Sequence, residues 1–206
     1  MTAPAPTGGA VLPASDSARS AYRRLLRDRR AQRGEHSWVT VLDSGSMRPV
    51  LDGRCEVLVR WGRPGPDLAP GTLALLESND EVLVVHRVAE VRTGKSSTDV
   101  LQVADNGRPD EQFASYRVQA DRVLGVVLAV RRAGAVVDLR SRAASAGGRA
   151  VAWTERTVRR LLDRRGPGAG VGPAARAAWR LQRLACHVAY QLARSSGRAR
   201  GGAAGG

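Results

Sequence analysis

Three groups of residues in this 206-residue chain have types and spacing suited to breaking a bond: Ser44-Gly45-Ser46-Met47-Arg48-Pro49, His86, and the acidic stretch holding Asp105 and Asp110. At average residue usage a Ser-Gly-Ser-Met-x-Pro string arises by chance on the order of once per ten thousand chains of this length. A plain Ser/Gly turn explains only its first three residues. A serine hydroxyl is a weak nucleophile until a neighbouring base takes its proton. It must also stand at a chain reversal where donors can face a developing oxyanion. In this string Gly45 supplies backbone freedom and Ser46 the attacking oxygen. Ser44 adds a hydroxyl that, with the backbone at Ser46, can form an oxyanion hole, and Met47 can pack beneath the turn.

The base is found by comparing what the chain supplies. Lys95 is the only lysine and falls in the hairpin-like stretch "TGKSST". That is a poor place for a desolvated amine of low pKa. His36 lies in the approach to the first strand and His187 on the polar face of a C-terminal helix, so both read as surface residues. His86 sits inside the most apolar run, "EVLVVHRVAEV", where a strand can hold it rigidly. An aspartate accepting from its second ring nitrogen would fix the tautomer and stabilise the imidazolium. Asp105 and Asp110, in "VADNGRPDEQ", are the two candidates. The "DNG" would equally make a solvated Asx turn.

Elements that could carry these groups are legible in the texture of the chain. From Ser37 onward, short β-branched runs alternate with Gly, Pro, Asn and Asp: "SWVTVL", "CEVLVRW", "GTLALLE", "EVLVVHRVAEV", "VLQVA", "YRVQADRVLGVVLAVRR" and "AVVDLRS". This pattern predicts a mainly β domain over residues 36–140. Before it, residues 1–15 are Pro/Ala/Gly-rich and read as disordered, and residues 16–35 read as a basic helix with Gly34 as its stop. After it, residues 141–196 read as a helical extension and 197–206 as a disordered tail. Within the last helix, Leu181, Leu184, Ala185, Val188 and Leu192 share one face, and Arg176, Arg180, Arg183 and His187 another. Following a Gly/Pro linker and carrying no chemistry-bearing group, this helix is expected to be separable from the β-domain. With Trp179 as anchor it could also lie in a membrane interface.

Net charge is +14, carried almost wholly by arginine. No aromatic residues interleave with those arginines as base-stacking platforms would require, so nucleic acid is not the expected partner. Cys55 and Cys186, the only cysteines, lack metal-ligand spacing, and no metal or cofactor is expected. No run approaches the roughly 18 apolar residues of a membrane span, and the N-terminus lacks the basic and apolar regions of a secretory signal. A cytoplasmic protein with peripheral contact at the inner membrane surface is therefore expected.

The order Ser-Gly-Ser-Met-Arg-Pro, His86-Arg87-Val88, Asp105-Asn106-Gly107-Arg108-Pro109-Asp110 resembles the type I signal peptidase and LexA-like serine peptidase superfamily, in its Ser/His branch. The likeness covers about residues 37–131. It implies a mainly antiparallel peptidase β-domain with its site in a groove along a sheet edge, where an extended peptide or protein substrate adds as a strand. It implies Ser46 as nucleophile, His86 as general base and Ser44 as oxyanion-hole hydroxyl. Asp110 corresponds to the acid of the triad and Asp105 to the preceding aspartate. The chain departs from the pattern at Gly53-Arg54, at Pro70-Gly71-Thr72 and at Ala104-Asp105-Asn106, where a glycine and one residue are missing. The resulting expectation is a serine endopeptidase of signal-peptidase-like type, cleaving a peptide or leader segment through an acyl-enzyme. Two other classes compete: a LexA-like self-cleaving or inactive regulator, and a basic protein binding nucleic acid or a membrane surface.

Overall fold

The computed structural model of the chain describes residues 24, 28, 31, 35–41, 45–48, 50–51, 55–62, 68–78, 83–94, 97–106, 115–132, 135–163 and 172–201. Each β-branched run forms strand: β1 (His36–Val41), β2 (Cys55–Trp61), β3 (Leu73–Glu77), β4 (Leu83–Thr93), β5 (Thr98–Val103), β6 (Ser115–Gln119), β7 (Val123–Arg132) and β8 (Ala135–Asp138). The run from Tyr116 to Arg132 yields two strands, because a single 3-10 turn over Ala120–Arg122 breaks it. All pairings are antiparallel, in the order β1-β2-β7-β3-β4-β5-β6, with β8 against the far end of β7. The molecule is thus mainly β, as expected.

Side chains of successive strand residues point to opposite faces, and the sheet buries both. One face carries Val57, Val59, Leu73, Leu75, Val85 and Val127. The other carries Ala74, Leu76, Val88, Val100, Val118 and Val123. Each of these valine and leucine side chains contributes roughly 1.5–3 kcal/mol when fully buried.

Two helices cover the first face: α1 (Arg142–Asp163) and α2 (Pro173–Gly201). Helix α1 begins at Arg142, within one residue of the expected start of the helical extension, because Ser141 caps it through its hydroxyl and carbonyl. Its opening Ala-Ala-Ser-Ala-Gly-Gly has no apolar period to read, yet Gly148 is needed. Gly71, at φ +100°, lies so close to Gly148 that a Cβ on Gly148 would overlap the Gly71 carbonyl and stand 2.8 Å from Arg87 Nη1.

Helix α2 departs from the sequence reading in two ways. It runs to Gly201, five residues past the expected boundary, since one glycine at 197 costs only about 1 kcal/mol and no proline intervenes. It is not a separable extension: Cys186 and Tyr190 join the main core beside Val151 of α1. The face it buries carries Gln182, Cys186 and Tyr190, at 2%, 3% and 7% exposure. Leu181, Leu184 and Val188 point outward. Near the N-terminus Arg24, Asp28 and Ala31 are helical, in the stretch expected to be. Residues 1–15 and 202–206 lie outside the described residues.

Candidate active site

Ser46 occupies a tight turn just beyond β1. Gly45 takes φ +75°, a region that L side chains rarely adopt. The turn is closed by Arg48 N–H donating to Gly45 O and by Leu51 N–H donating to Met47 O. Met47 is buried beneath it. Five strands away in the sheet order, the end of β5 comes back to meet this turn. Asn106 N–H donates to Ser46 O at 2.7 Å, and Asn106 Nδ2 donates to Gly45 O at 2.9 Å. The Asp105 N–H is directed at Met47 Sδ at 3.5 Å. The polar and apolar parts of the Ser-Gly-Ser-Met string are therefore both used.

His86 lies in the middle of β4, opposite Ala74 of β3. Its Nε2 is 3.3 Å from Ser46 Oγ, across 40 residues of sequence. Its Nδ1 is hydrogen-bonded to Gln102 Oε1 of β5. An amide oxygen only accepts, so Nδ1 carries the proton and Nε2 presents a lone pair to the serine hydroxyl. That is the tautomer a general base requires. Burial lowers the His86 pKa below 6.5, against the opposing influence of the Gln102 hydrogen bond and the Asp105 charge. The imidazole is accordingly neutral at physiological pH.

Asp105 does not take the place expected beside Nδ1. In the β4–β5 ladder Arg87 is opposite Val103 and Val88 opposite Gln102. Strand alternation then sends His86 and Gln102 to one face, and Arg87 and Asp105 to the other. Arg87 Nε and Nη2 meet Asp105 Oδ1 and Oδ2 at 2.7 and 2.5 Å, a fork-to-fork pair buried at both ends. Burial opposes the guanidinium charge, but the carboxylate outweighs it and raises the Arg87 pKa. Arg87 also donates to Gly71 O. Cys186 of α2 donates its thiol toward Asp105 at 3.5 Å, and burial followed by the Asp105 charge raises that thiol's pKa far above its usual range. Asp105 thus ties the site's underside to β4 and α2 and reaches His86 only through its field.

Asp110, Ser44 and Lys95 lie outside the described residues. The connection containing Lys95 leaves β4 at Thr93, roughly 23 Å along the strand from His86. His36 and His187 are exposed, as expected of surface residues. Three functional positions were not singled out from sequence. Gln102 had a signal, a lone amide inside the apolar run "VLQVA". Arg87 stands in the His-Arg-Val motif and Asn106 in the Asp-Asn-Gly turn, but neither pattern indicates which partner the side chain meets.

A cavity of about 280 Å³ lies against Gly71, Arg87, Gly148, Cys186 and Tyr190. Neither Ser46 nor His86 lines it, so it belongs to the helix-covered side and not to the Ser–His pair. No protein-family model, curated protein or solved structure matches the chain.

Proposed function

We propose that this protein is a serine endopeptidase in which Ser46 is the nucleophile, His86 the general base and Gln102 the residue that orients the base. The observation that carries this reading is the 3.3 Å approach of Ser46 Oγ to His86 Nε2, with Nδ1 held by a buried acceptor. In the first step His86 Nε2 takes the Ser46 proton as Oγ bonds to the scissile carbonyl carbon. The carbonyl becomes a tetrahedral oxyanion, and the imidazolium then returns the proton to the departing amine. Water, deprotonated by the same imidazole, attacks the resulting ester and releases the acid product and free Ser46.

A neutral amide beside Nδ1 fixes the tautomer but stabilises the imidazolium less than a carboxylate would. That matches the lowered His86 pKa. The proposed substrate is an extended peptide or leader segment with small residues at the scissile bond. Strand β1 supports such binding: its sheet partner is β2 alone among the described residues, and its chain leads directly to Ser46. A peptide added along that edge would arrive at the nucleophile by register.

The test is covalent labelling of the full chain with a fluorophosphonate, followed by mass spectrometry of the modified peptide. Modification on Ser46, absent from Ser46→Ala and from His86→Ala, is expected. Labelling at another residue, or none with wild-type protein, overturns the proposal.

A further inference from the structure

Helix α2 is amphipathic in the wrong sense for its own core. The face turned inward carries Gln182, Cys186 and Tyr190. The face turned outward carries Leu181, Leu184 and Val188, exposed by 66%, 59% and 48%. Folding has left uncovered three aliphatic side chains that lie one turn apart on a single stripe. Scattered exposed leucines need no explanation, but an aligned stripe on one element does.

Charge indicates what covers it. On the wheel of α2, Arg176, Arg180, Arg183 and His187 follow one another along one flank of the stripe, all exposed. Residues 173–201 contain six arginines and no carboxylate. Arg183 lies over the half-buried Trp179 ring, 5.0 Å from its centroid, which places an amphipathic aromatic beside the cationic flank. A second copy of the chain is a poor occupant, because stripe against stripe would bring two arginine flanks together on molecules of net charge +14. A nucleic acid would use the arginines and leave the aliphatic stripe in water. An anionic lipid surface satisfies both: phosphates meet the arginines, and the acyl region takes the stripe.

We propose that the outward face of α2 docks the protein on an anionic membrane, with Leu181, Leu184 and Val188 inserted at the headgroup boundary. No helix of the described residues is long and apolar enough to cross a membrane, so this contact is peripheral. It is independent of whether Ser46 acts as a nucleophile.

Co-sedimentation of the full chain with phosphatidylcholine vesicles, with and without phosphatidylglycerol, at low and near-physiological salt tests it. Binding to the anionic vesicles alone is expected, weakening as salt rises. Each of Arg176→Gln and Arg180→Gln should reduce affinity about fivefold. The triple variant Leu181→Ser, Leu184→Ser, Val188→Ser should lose at least about tenfold while keeping the wild-type circular dichroism and melting curve, since those side chains are already outside the core. Absence of binding at low salt, or equal binding to neutral vesicles, overturns the proposal. So does full binding by the triple serine variant, which would mean that charge alone is at work. A wild-type dimer that the same variant dissociates, without vesicle binding, would assign the face to a second copy instead.

Discussion

Gln102 occupies the position in which a carboxylate was anticipated, and this changes what the pair of Ser46 and His86 can do. Its Oε1 selects the tautomer with a free Nε2, so Gln102→Leu should lower kcat about 10- to 100-fold, part of the roughly 10²- to 10⁴-fold that general-base catalysis contributes. A purely structural role would leave the pH profile unmoved. Here the lost hydrogen bond was holding the His86 pKa up against burial, so the acid limb of kcat/KM should shift to lower pH in Gln102→Leu. In the wild type that limb should already lie below 6.5, because His86 must be neutral to act and burial depresses its pKa. The same depression couples to folding. The unfolded chain binds the proton first as pH falls, so the contribution of His86 to stability is complete above 6.5 and is lost as pH drops through the folded-state value. Thermal melts between pH 7 and 5 check the sign: the midpoint should fall with acidification, and less so in His86→Phe.

Among the elements, α2 and the start of α1 belong to the machinery that holds the site. Asp105 receives Arg87 from β4 and Cys186 from α2, and the next residue, Asn106, anchors the serine turn. Removing one partner of a buried ion pair leaves the other charge uncompensated, at a cost of about 3–5 kcal/mol. Asp105→Asn should therefore destabilise by that order in urea denaturation, and Arg87→Met with Asp105→Leu should cost less than Asp105→Asn alone. Truncation after residue 165 removes Cys186 and Tyr190 from the core. It should lower the melting temperature sharply and abolish fluorophosphonate labelling, and a truncated chain that melts normally would return α2 to the status of an appendage. At the other helix, Gly148→Ala would press a methyl onto the Gly71 carbonyl. Such overpacking should cost about 1–3 kcal/mol, read as a lowered denaturation midpoint.

Taken whole, the molecule brings the Ser46 turn to His86 because its sheet coils. In strand order β1 and β4 are separated by β2, β7 and β3, yet the turn after β1 touches both His86 in β4 and Asn106 beyond β5. Register shifts between Leu58 and Val59, between Leu75 and Leu76, and between Val88 and Glu90 mark bulges that bend and twist the sheet. Closure of this kind is held at the seam by Asn106. Asn106→Ala should reduce turnover at least about tenfold, since a displacement of an ångström between nucleophile and base has costs of that order or larger. Its melting temperature should change little, because the side chain makes one bond to a partly buried turn.

Period-2 runs and turn residues were enough to read the strands, because strand propensity and binary pattern are local properties. The serine turn was legible for a similar reason: Gly45 needs a positive φ and Met47 needs an apolar floor, and both demands are met within four residues. His86 stood out as a titratable side chain in an apolar run. Its partner did not, since which side chain meets Nδ1 depends on inter-strand register. A shift of one residue between β4 and β5 would have exchanged the faces of Gln102 and Val103 and left His86 without its acceptor. The buried face of α2 was equally beyond local reading. Periodicity identifies the leucine stripe, but whether that stripe faces the sheet or the solvent is settled by the shape left between β8, α1 and the Arg87–Asp105 pair. There the Cys186 thiol donates toward Asp105, a contact that no aliphatic side chain of the stripe could make.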